Sequence, residues 1–215
     1  GRASRSLTTP LATPFDVLPC CRTCCTAARA GQSAAATKID AVLGVAKAYT
    51  TRVGSGPFPT ELTDAVGEGL QSRGKEFGST TGRARRCGWF DGVLVRYATK
   101  VNGLTSLAVT KLDVLDGCKE LKVCTGYRYE GTLYRDMPAD LQTLTDCKPV
   151  YKTFKGWSGS TTGATTYKQI PAEAKRYLQY LEEISECPID MISTGSKRSE
   201  TIVLRNPLKA RSRAR

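Results

Sequence analysis

The stretch Asp91–Asp113, DGVLVRYATKVNGLTSLAVTKLD, decides how the fold is read. Asp91 suits a helix cap, because a short carboxylate accepts from the free N–H groups of a first turn. Behind it Val93, Leu94, Tyr97, Ala98 and Val101 recur at helical spacing and make one apolar face. Asn102–Gly103 stops the helix, since glycine tolerates the left-handed backbone of a helix end. Ser106–Leu107–Ala108–Val109–Thr110 then has the length and apolar character of a buried strand. A helix feeding such a strand belongs to an α/β protein. The polar tetrapeptide Thr110–Lys111–Leu112–Asp113 falls at the strand's carboxyl end, where α/β sheets bind ligands.

Upstream, Ala41–Thr50 reads as a largely buried strand, followed by a loop rich in breakers from Arg52 to Pro59. Thr60 is placed to cap a helix with Glu61 and Asp64 in its first turn; Leu62, Ala65, Val66, Gly69 and Leu70 follow at helical spacing, and Gly74 ends it. A second loop runs from Gly78 to Gly88. Downstream, Glu120–Tyr127 alternates as a strand, Tyr129–Val150 reads as loop and weak hairpin, and Gly156–Gly163 is a loop holding Trp157. Pro171 opens a helix with the stripe Ala174, Tyr177, Leu178, Leu181 and Ile184, and Pro188 ends it. Ile189–Ile192 and Thr201–Leu204 are strands on either side of Ser193–Thr194–Gly195. Strands alternating with helices predict a sheet that is at least partly parallel. Trp89, Trp157, Tyr177, the phenylalanines, Met137 and Met191 read as core.

The chain has 215 residues, enough for one substantial domain, with 40% apolar and 24% charged residues. No apolar run approaches the length of a membrane span. Net charge is +12, of which residues 1–36 carry +3 and residues 206–215 carry +4, leaving +5 on the body. That body suits phosphorylated anions, and the charge at the two ends reads as solvated tails, which weighs against a specific nucleic-acid binder. Five of the nine cysteines are scattered singly, as in a reduced protein, and four crowd into Cys20–Cys25. With no histidine and no second cysteine pair at a ligand spacing, zinc is not expected. Nor is there a side chain that titrates near neutrality unperturbed, so acid–base chemistry at pH 7 needs a retuned group or one from elsewhere.

Three loops carry recognisable chemistry. In Thr110–Asp113, an Asp113 carboxylate would accept two parallel hydrogen bonds from guanine N1–H and the 2-amino group. Adenine lacks that donor pair, so losing the contact would cost roughly 2–5 kcal/mol. Lys111 would lay its stem along base or ribose. The alternative is a solvated strand end. In Ser79–Thr80–Thr81–Gly82–Arg83–Ala84–Arg85–Arg86, hydroxyls, a permissive glycine and three arginines suit a carboxylate or phosphate. The alternative is a basic loop that touches nothing, or a nucleic-acid contact. Ser193–Thr194–Gly195 could lie against a base. Cys87, beside Arg85 and Arg86, reads as an incidental thiol, with a lowered pKa as the other possibility.

Together these pieces resemble the adenylosuccinate synthetases over about Thr37 to Pro207. The specific stretches are Gly44–Gly54, Gly56–Glu61, Thr80–Arg83 with Arg85–Trp89, and Thr110–Asp116. The resemblance implies an α/β chain with a mixed, mainly parallel sheet flanked by helices. That chain would be the C-terminal part of a P-loop-NTPase-like, GTP-dependent ligase. It implies joining of IMP and L-aspartate driven by GTP, with Mg²⁺, in AMP biosynthesis. By the same resemblance Arg85, Lys111, Leu112, Asp113, Ser193, Thr194 and Gly195 serve GTP. Ser79, Thr80, Thr81, Gly82, Arg83, Ala84 and Arg85 serve L-aspartate, and Arg83 and Val53 serve IMP. A homodimer is implied for the complete enzyme, and a cytoplasmic place, with the plastid as alternative. The family's phosphate loop, catalytic aspartate and catalytic histidine have no counterpart here. The Mg²⁺ ligands are therefore expected outside this chain, which alone is expected to be inactive. Residues 1–36 do not match and read as unstructured, misframed or transit-like. Residues 208–215 form a basic tail, and Ser196–Lys197–Arg198 stands where the family usually has proline after the glycine. The alternative is an inactive remnant that binds guanine nucleotides or, through its basic loop, nucleic acid.

Overall fold

The computed structural model describes residues 41–78 and 82–207. The segment at 1–36, expected to be unstructured or misframed, the tail at 208–215 and Ser79, Thr80 and Thr81 lie outside the described residues.

The main sheet has the strand order β1 (Leu43–Lys47), β5 (Ser106–Thr110), β9 (Ile189–Ser193), β10 (Thr201–Val203). The first three run parallel, with Lys47 opposite Thr110 and Val109 opposite Ile192, and β10 returns antiparallel. Leu107 and Val109 are almost fully buried, which is why this run forms the central strand. Because β1, β5 and β9 share a direction, the loops after Lys47, Thr110 and Ser193 emerge at one edge.

A two-stranded ladder joins β2 (Thr50–Arg52) to β3 (Arg86–Gly88), with Arg52 opposite Arg86. A second sheet is built on β6 (Glu120–Tyr129). It pairs parallel with β4 (Phe90–Asp91) and antiparallel with β7 (Thr132–Tyr134) and β8 (Lys148–Lys155).

The α1 helix (Ala65–Arg73) is capped by Asp64, whose carboxylate accepts from Val66 N and Gly67 N at 3.1 and 3.0 Å. The cap expected at Thr60 is therefore displaced by four residues. Thr60 is fully buried against the chain at Gly88 and begins no helix. The α2 helix (Gly92–Asn102) starts at the Asp91 cap and ends at Gly103 in the left-handed conformation, both as expected. Val101, assigned to the buried face, is 39% exposed, because the packed side of α2 is centred on Val93, Ala98 and Thr99. The expected strand Ala41–Thr50 is broken at Ala48–Tyr49, which turn the chain from β1 into β2. Residues 129–150 hold more order than expected: a short α3 (Leu141–Asp146) capped by Asp140, and the start of β8. The α4 helix (Ala172–Ser185) presents Ala174, Tyr177, Leu178 and Leu181 to the core. Tyr177 donates to Ala48 O at 2.7 Å and so ties α4 to the turn between β1 and β2.

The core joins Leu107, Val109, Leu112 and Ile192 of the main sheet to Leu121, Val123, Trp157, Tyr177 and Leu181. Trp89 and Phe90 are buried as expected, whereas Phe77 is 46% exposed beside the basic loop. Among the described residues no disulfide joins the cysteines, and no helix is long and apolar enough to cross a membrane.

Candidate functional site

The site is built at the edge where β1, β5 and β9 end. After Thr110 the chain enters Lys111 in the left-handed region, at φ 60° and ψ 36°. Lysine disfavours that region, so the conformation is strained and must be held by its surroundings. The turn places Leu112–Leu115 in a short 3-10 helix that carries Asp113. Leu112 is fully buried, so its side chain belongs to the core and only its backbone is left to face a ligand. Asp113 is half-buried, and its Oδ1 is buried with no hydrogen-bond partner among the described residues. Burial pushes its carboxyl above the usual range. A buried acceptor left bare is costly to the fold. It is the natural counterpart of a ligand that brings N–H donors.

Three residues further on, Asp116 is saturated. It accepts from Trp157 Nε1 at 2.6 Å, Ser160 Oγ at 2.9 Å, Thr161 N at 2.7 Å and Thr161 Oγ1 at 2.8 Å. That carboxylate fastens the 156–163 loop beside the 3-10 turn. Gly156 is required there, since an added Cβ would sit 1.6 Å from Cys118 O.

The segment after β9 lies next to the Asp113 turn, because β9 is the neighbour of β5. Ser193 Oγ donates to Gly195 O at 2.8 Å. Thr194 is fully buried and donates to Ala164 O at 2.8 Å, so its side chain fixes the loop. Glu200 closes the segment, accepting from Thr194 N on its carbonyl at 2.9 Å and from Lys197 N on its carboxylate at 2.7 Å. This contact keeps Ser193–Gly195 in shape although Ser196–Lys197–Arg198 follows it.

The basic loop is pinned at both ends. Gly78 N donates to Arg83 O and Gly82 N to Gly78 O, each at 2.8 Å, and Arg85 N donates to Glu76 O at 2.9 Å. Gly82 has φ +63°, a turn glycine accommodates without strain. Arg83 and Ala84 are exposed. The three arginines divide by role. Arg86 donates to Glu61 Oε1 at 2.6 Å and Gly56 O at 2.8 Å, holding the loop after β2. Arg85 pairs with Glu76 at 3.0 Å and remains partly open. Because Arg52 faces Arg86 across the β2–β3 ladder, Val53, 59% exposed, and Arg85 leave the same end of it.

Between the two halves of the site lies a group the sequence did not reveal. Glu76 is fully buried and accepts from Lys47 Nζ at 2.8 and 2.9 Å, Tyr49 OH at 2.7 Å, Lys111 Nζ at 2.9 Å and Arg85 Nη1 at 3.0 Å. Burial alone would push its carboxyl up; the hydrogen bonds from Lys47, Tyr49 and Lys111 outweigh that and hold it at about 2. One usable signal was Lys47, a cation inside an apolar strand, which demands a buried partner. Cys87 next to this cluster is buried and its thiol is pushed up to about 11, by burial and then by Glu76, opposite to a lowered pKa. Three cations against one carboxylate leave this edge attractive to anions. Among the described residues no group of three or more Cys, Asp or Glu side chains could hold a metal ion.

A family model, adenylosuccinate synthetase, matches residues 16–202. The adenylosuccinate synthetase of Desulforamulus reducens is 54% identical over 178 residues, covering 83% of this chain and 42% of that protein. That of Carboxydothermus hydrogenoformans is 56% identical over 178 residues, with the same coverage of 83% and 42%. A solved structure of fully ligated adenylosuccinate synthetase from Plasmodium falciparum superposes with a TM-score of 0.75 at 36% identity, covering 79% of this chain and 41% of that one. The chain thus spans about two-fifths of the length of the relatives it matches. The fold is the P-loop-NTPase-like α/β fold of that neighbour, a mixed, mainly parallel main sheet flanked by helices.

Proposed function

The chain belongs to the adenylosuccinate synthetase family, and from that premise we propose that it supplies the guanine- and L-aspartate-recognising portion of the reaction that converts IMP, L-aspartate and GTP to adenylosuccinate, GDP and phosphate. In the family reaction the γ-phosphoryl group of GTP moves to the 6-oxygen of IMP. The amine of aspartate then forms a bond to C6 as that phosphate leaves.

Each loop has a part in this reading. The Asp113 carboxylate receives the N1–H and 2-amino donors of guanine, one on each oxygen, with the bare Oδ1 taking one of the two. The Lys111 stem and the backbone of Leu112, Ser193, Thr194 and Gly195 flank the base. The pinned loop with Ser79, Thr80, Thr81, Gly82, Arg83, Ala84 and Arg85 takes the two aspartate carboxylates, as arginine forks do. Arg83 and the chain at Val53 face IMP. Arg85, held by Glu76, stands between the aspartate loop and the nucleotide end. Among the described residues no group of three or more Cys, Asp or Glu side chains is placed to hold a metal ion. The reading assigns the metal, phosphoryl transfer and the proton-transfer group to residues outside this segment, and this chain by itself turns over no substrate. In this reading the complete enzyme works as a homodimer in the cytoplasm, with the plastid as alternative.

The observation that carries the reading is Asp113 Oδ1, buried and unpartnered at the carboxyl end of the central strand. The test is an equilibrium titration of the chain with GDP and ADP, repeated on Asp113→Asn. GDP should bind at least about tenfold more tightly than ADP, and the variant should lose that ratio, as expected when a site's specific buried hydrogen bond is removed. Equal binding of both nucleotides, or a ratio untouched by the substitution, would refute it.

A further inference from the structure

We infer that Glu76 is a positioning residue whose carboxylate anchors both arms of the site, the Lys111–Asp113 strand end and the Arg83–Arg85 loop. The inference rests on the function proposed above and names a residue that this function does not require to touch any ligand.

The geometry is specific. The four donors to Glu76 come from four places in the fold: β1 through Lys47, the turn after it through Tyr49, the end of β5 through Lys111, and the basic loop through Arg85. The backbone joins in, since Arg85 N donates to Glu76 O. A carboxylate fully removed from water is a poor stabiliser by itself, and apolar residues of similar size often do as well. What an apolar residue would not do is hold Lys111 in its left-handed conformation. Lys111 Nζ also donates to Gly74 O, so the ammonium is gripped from two sides. Release of that grip lets Lys111 relax, and the turn that aims Asp113 relaxes with it. On the other arm, loss of the Glu76 charge frees Arg85 to swing and takes the fork out of register with Arg83. One anion thus sets the geometry of guanine recognition and of dicarboxylate recognition.

The experiment measures GDP, ADP and L-aspartate binding to the whole chain, to Glu76→Gln, to Lys111→Met and to Asp113→Asn, with circular dichroism confirming folding. Glu76→Gln keeps the size of the side chain and removes the charge. It should weaken both GDP and L-aspartate by about tenfold or more, the loss typical of a charge-assisted hydrogen bond. Lys111→Met keeps an apolar stem against the base and removes the ammonium. It should weaken GDP and leave L-aspartate within about twofold, less than half the energy of one hydrogen bond. If Glu76→Gln does not fold, Lys111→Met carries the test, because Glu76 there retains three donors. Retained guanine preference in Lys111→Met would show that the Glu76–Lys111 tie does not aim Asp113, and would overturn the inference. So would a folded Glu76→Gln that binds both ligands like the parent. In either case a loss of preference in Asp113→Asn would leave the proposed function standing. If Asp113→Asn changes nothing, the proposed function and the inference fall together.

Discussion

Two regions each place an aspartate beside the carboxyl end of a strand, and they differ in how its oxygens are partnered. In the second sheet Asp91 ends β4, is 2% exposed, accepts from Tyr127 OH at 2.7 Å and from Leu94 N at 3.1 Å, and caps α2. At the edge of the main sheet Asp113 follows β5 and keeps Oδ1 bare. Asp116, three residues away, is as saturated as Asp91. Folding selects carboxylates whose oxygens are all occupied. An occupied carboxylate is therefore part of the scaffold, and the proposed function gives the bare one at the strand end to an arriving ligand.

The comparison is broken most sharply by removing a scaffold carboxylate. Asp116→Ala leaves Trp157 Nε1 and the 160–162 hydroxyls without their acceptor. Stability should fall by about 3 kcal/mol, at the upper end for a single buried hydrogen-bonding group. Urea unfolding followed by tryptophan fluorescence measures it, and a change under about 1 kcal/mol would show that the loop is fastened by packing instead.

A smaller effect is expected at Asp91. Burial pushes its carboxyl from 3.8 up to about 6, against the downward pull of Tyr127 and the first-turn N–H groups. The folded state thus binds a proton more readily than the unfolded chain. The stabilisation is fully present below about pH 4 and is lost as pH rises to about 6, an effect of roughly 2–3 kcal/mol. Asp91→Asn retains a cap and should abolish that slope, so that its melting temperature at pH 7 exceeds the parent's. Glu76 slopes the other way, its contribution being lost only as pH falls from about 4.5 towards 2. A parent that gained stability between pH 4 and 6 would contradict the account of Asp91.

The scaffold role of Arg86 gives a weaker contrast. Arg86→Lys removes a fork from Glu61 and the loop at Gly56 and should cost about 1 kcal/mol in thermal unfolding, with guanine preference unchanged. A shift in that preference would move Arg86 from the scaffold into the site.

What the sequence disclosed depended on how local the signal was. The Asp91 cap, the left-handed Gly103 and the strand Ser106–Thr110 were legible because each is decided within a few residues. The resemblance carried Lys111, Asp113 and Ser193–Gly195 to their places at one edge. Glu76 was not identifiable, since its partners lie 9 to 35 residues away and Lys47 signals only that some buried partner exists, not which residue it is. The cap of α1 was misread because Thr60 has the composition of a cap and is instead packed against the backbone at Gly88. The β8 strand was hidden by Pro149 and its lysines, which an edge strand tolerates and a central one would not.

The most direct test of the account is a paired measurement on Asp113→Asn: unfolding free energy without ligand, and the GDP-to-ADP affinity ratio. An oxygen kept for a ligand contributes nothing to the unliganded fold. The variant should therefore be as stable as the parent within about 0.5 kcal/mol, or more stable, and should have lost its guanine preference. A variant that lost stability and kept the preference would place Asp113 with Asp91 and Asp116 among the scaffold carboxylates, and the account would fail.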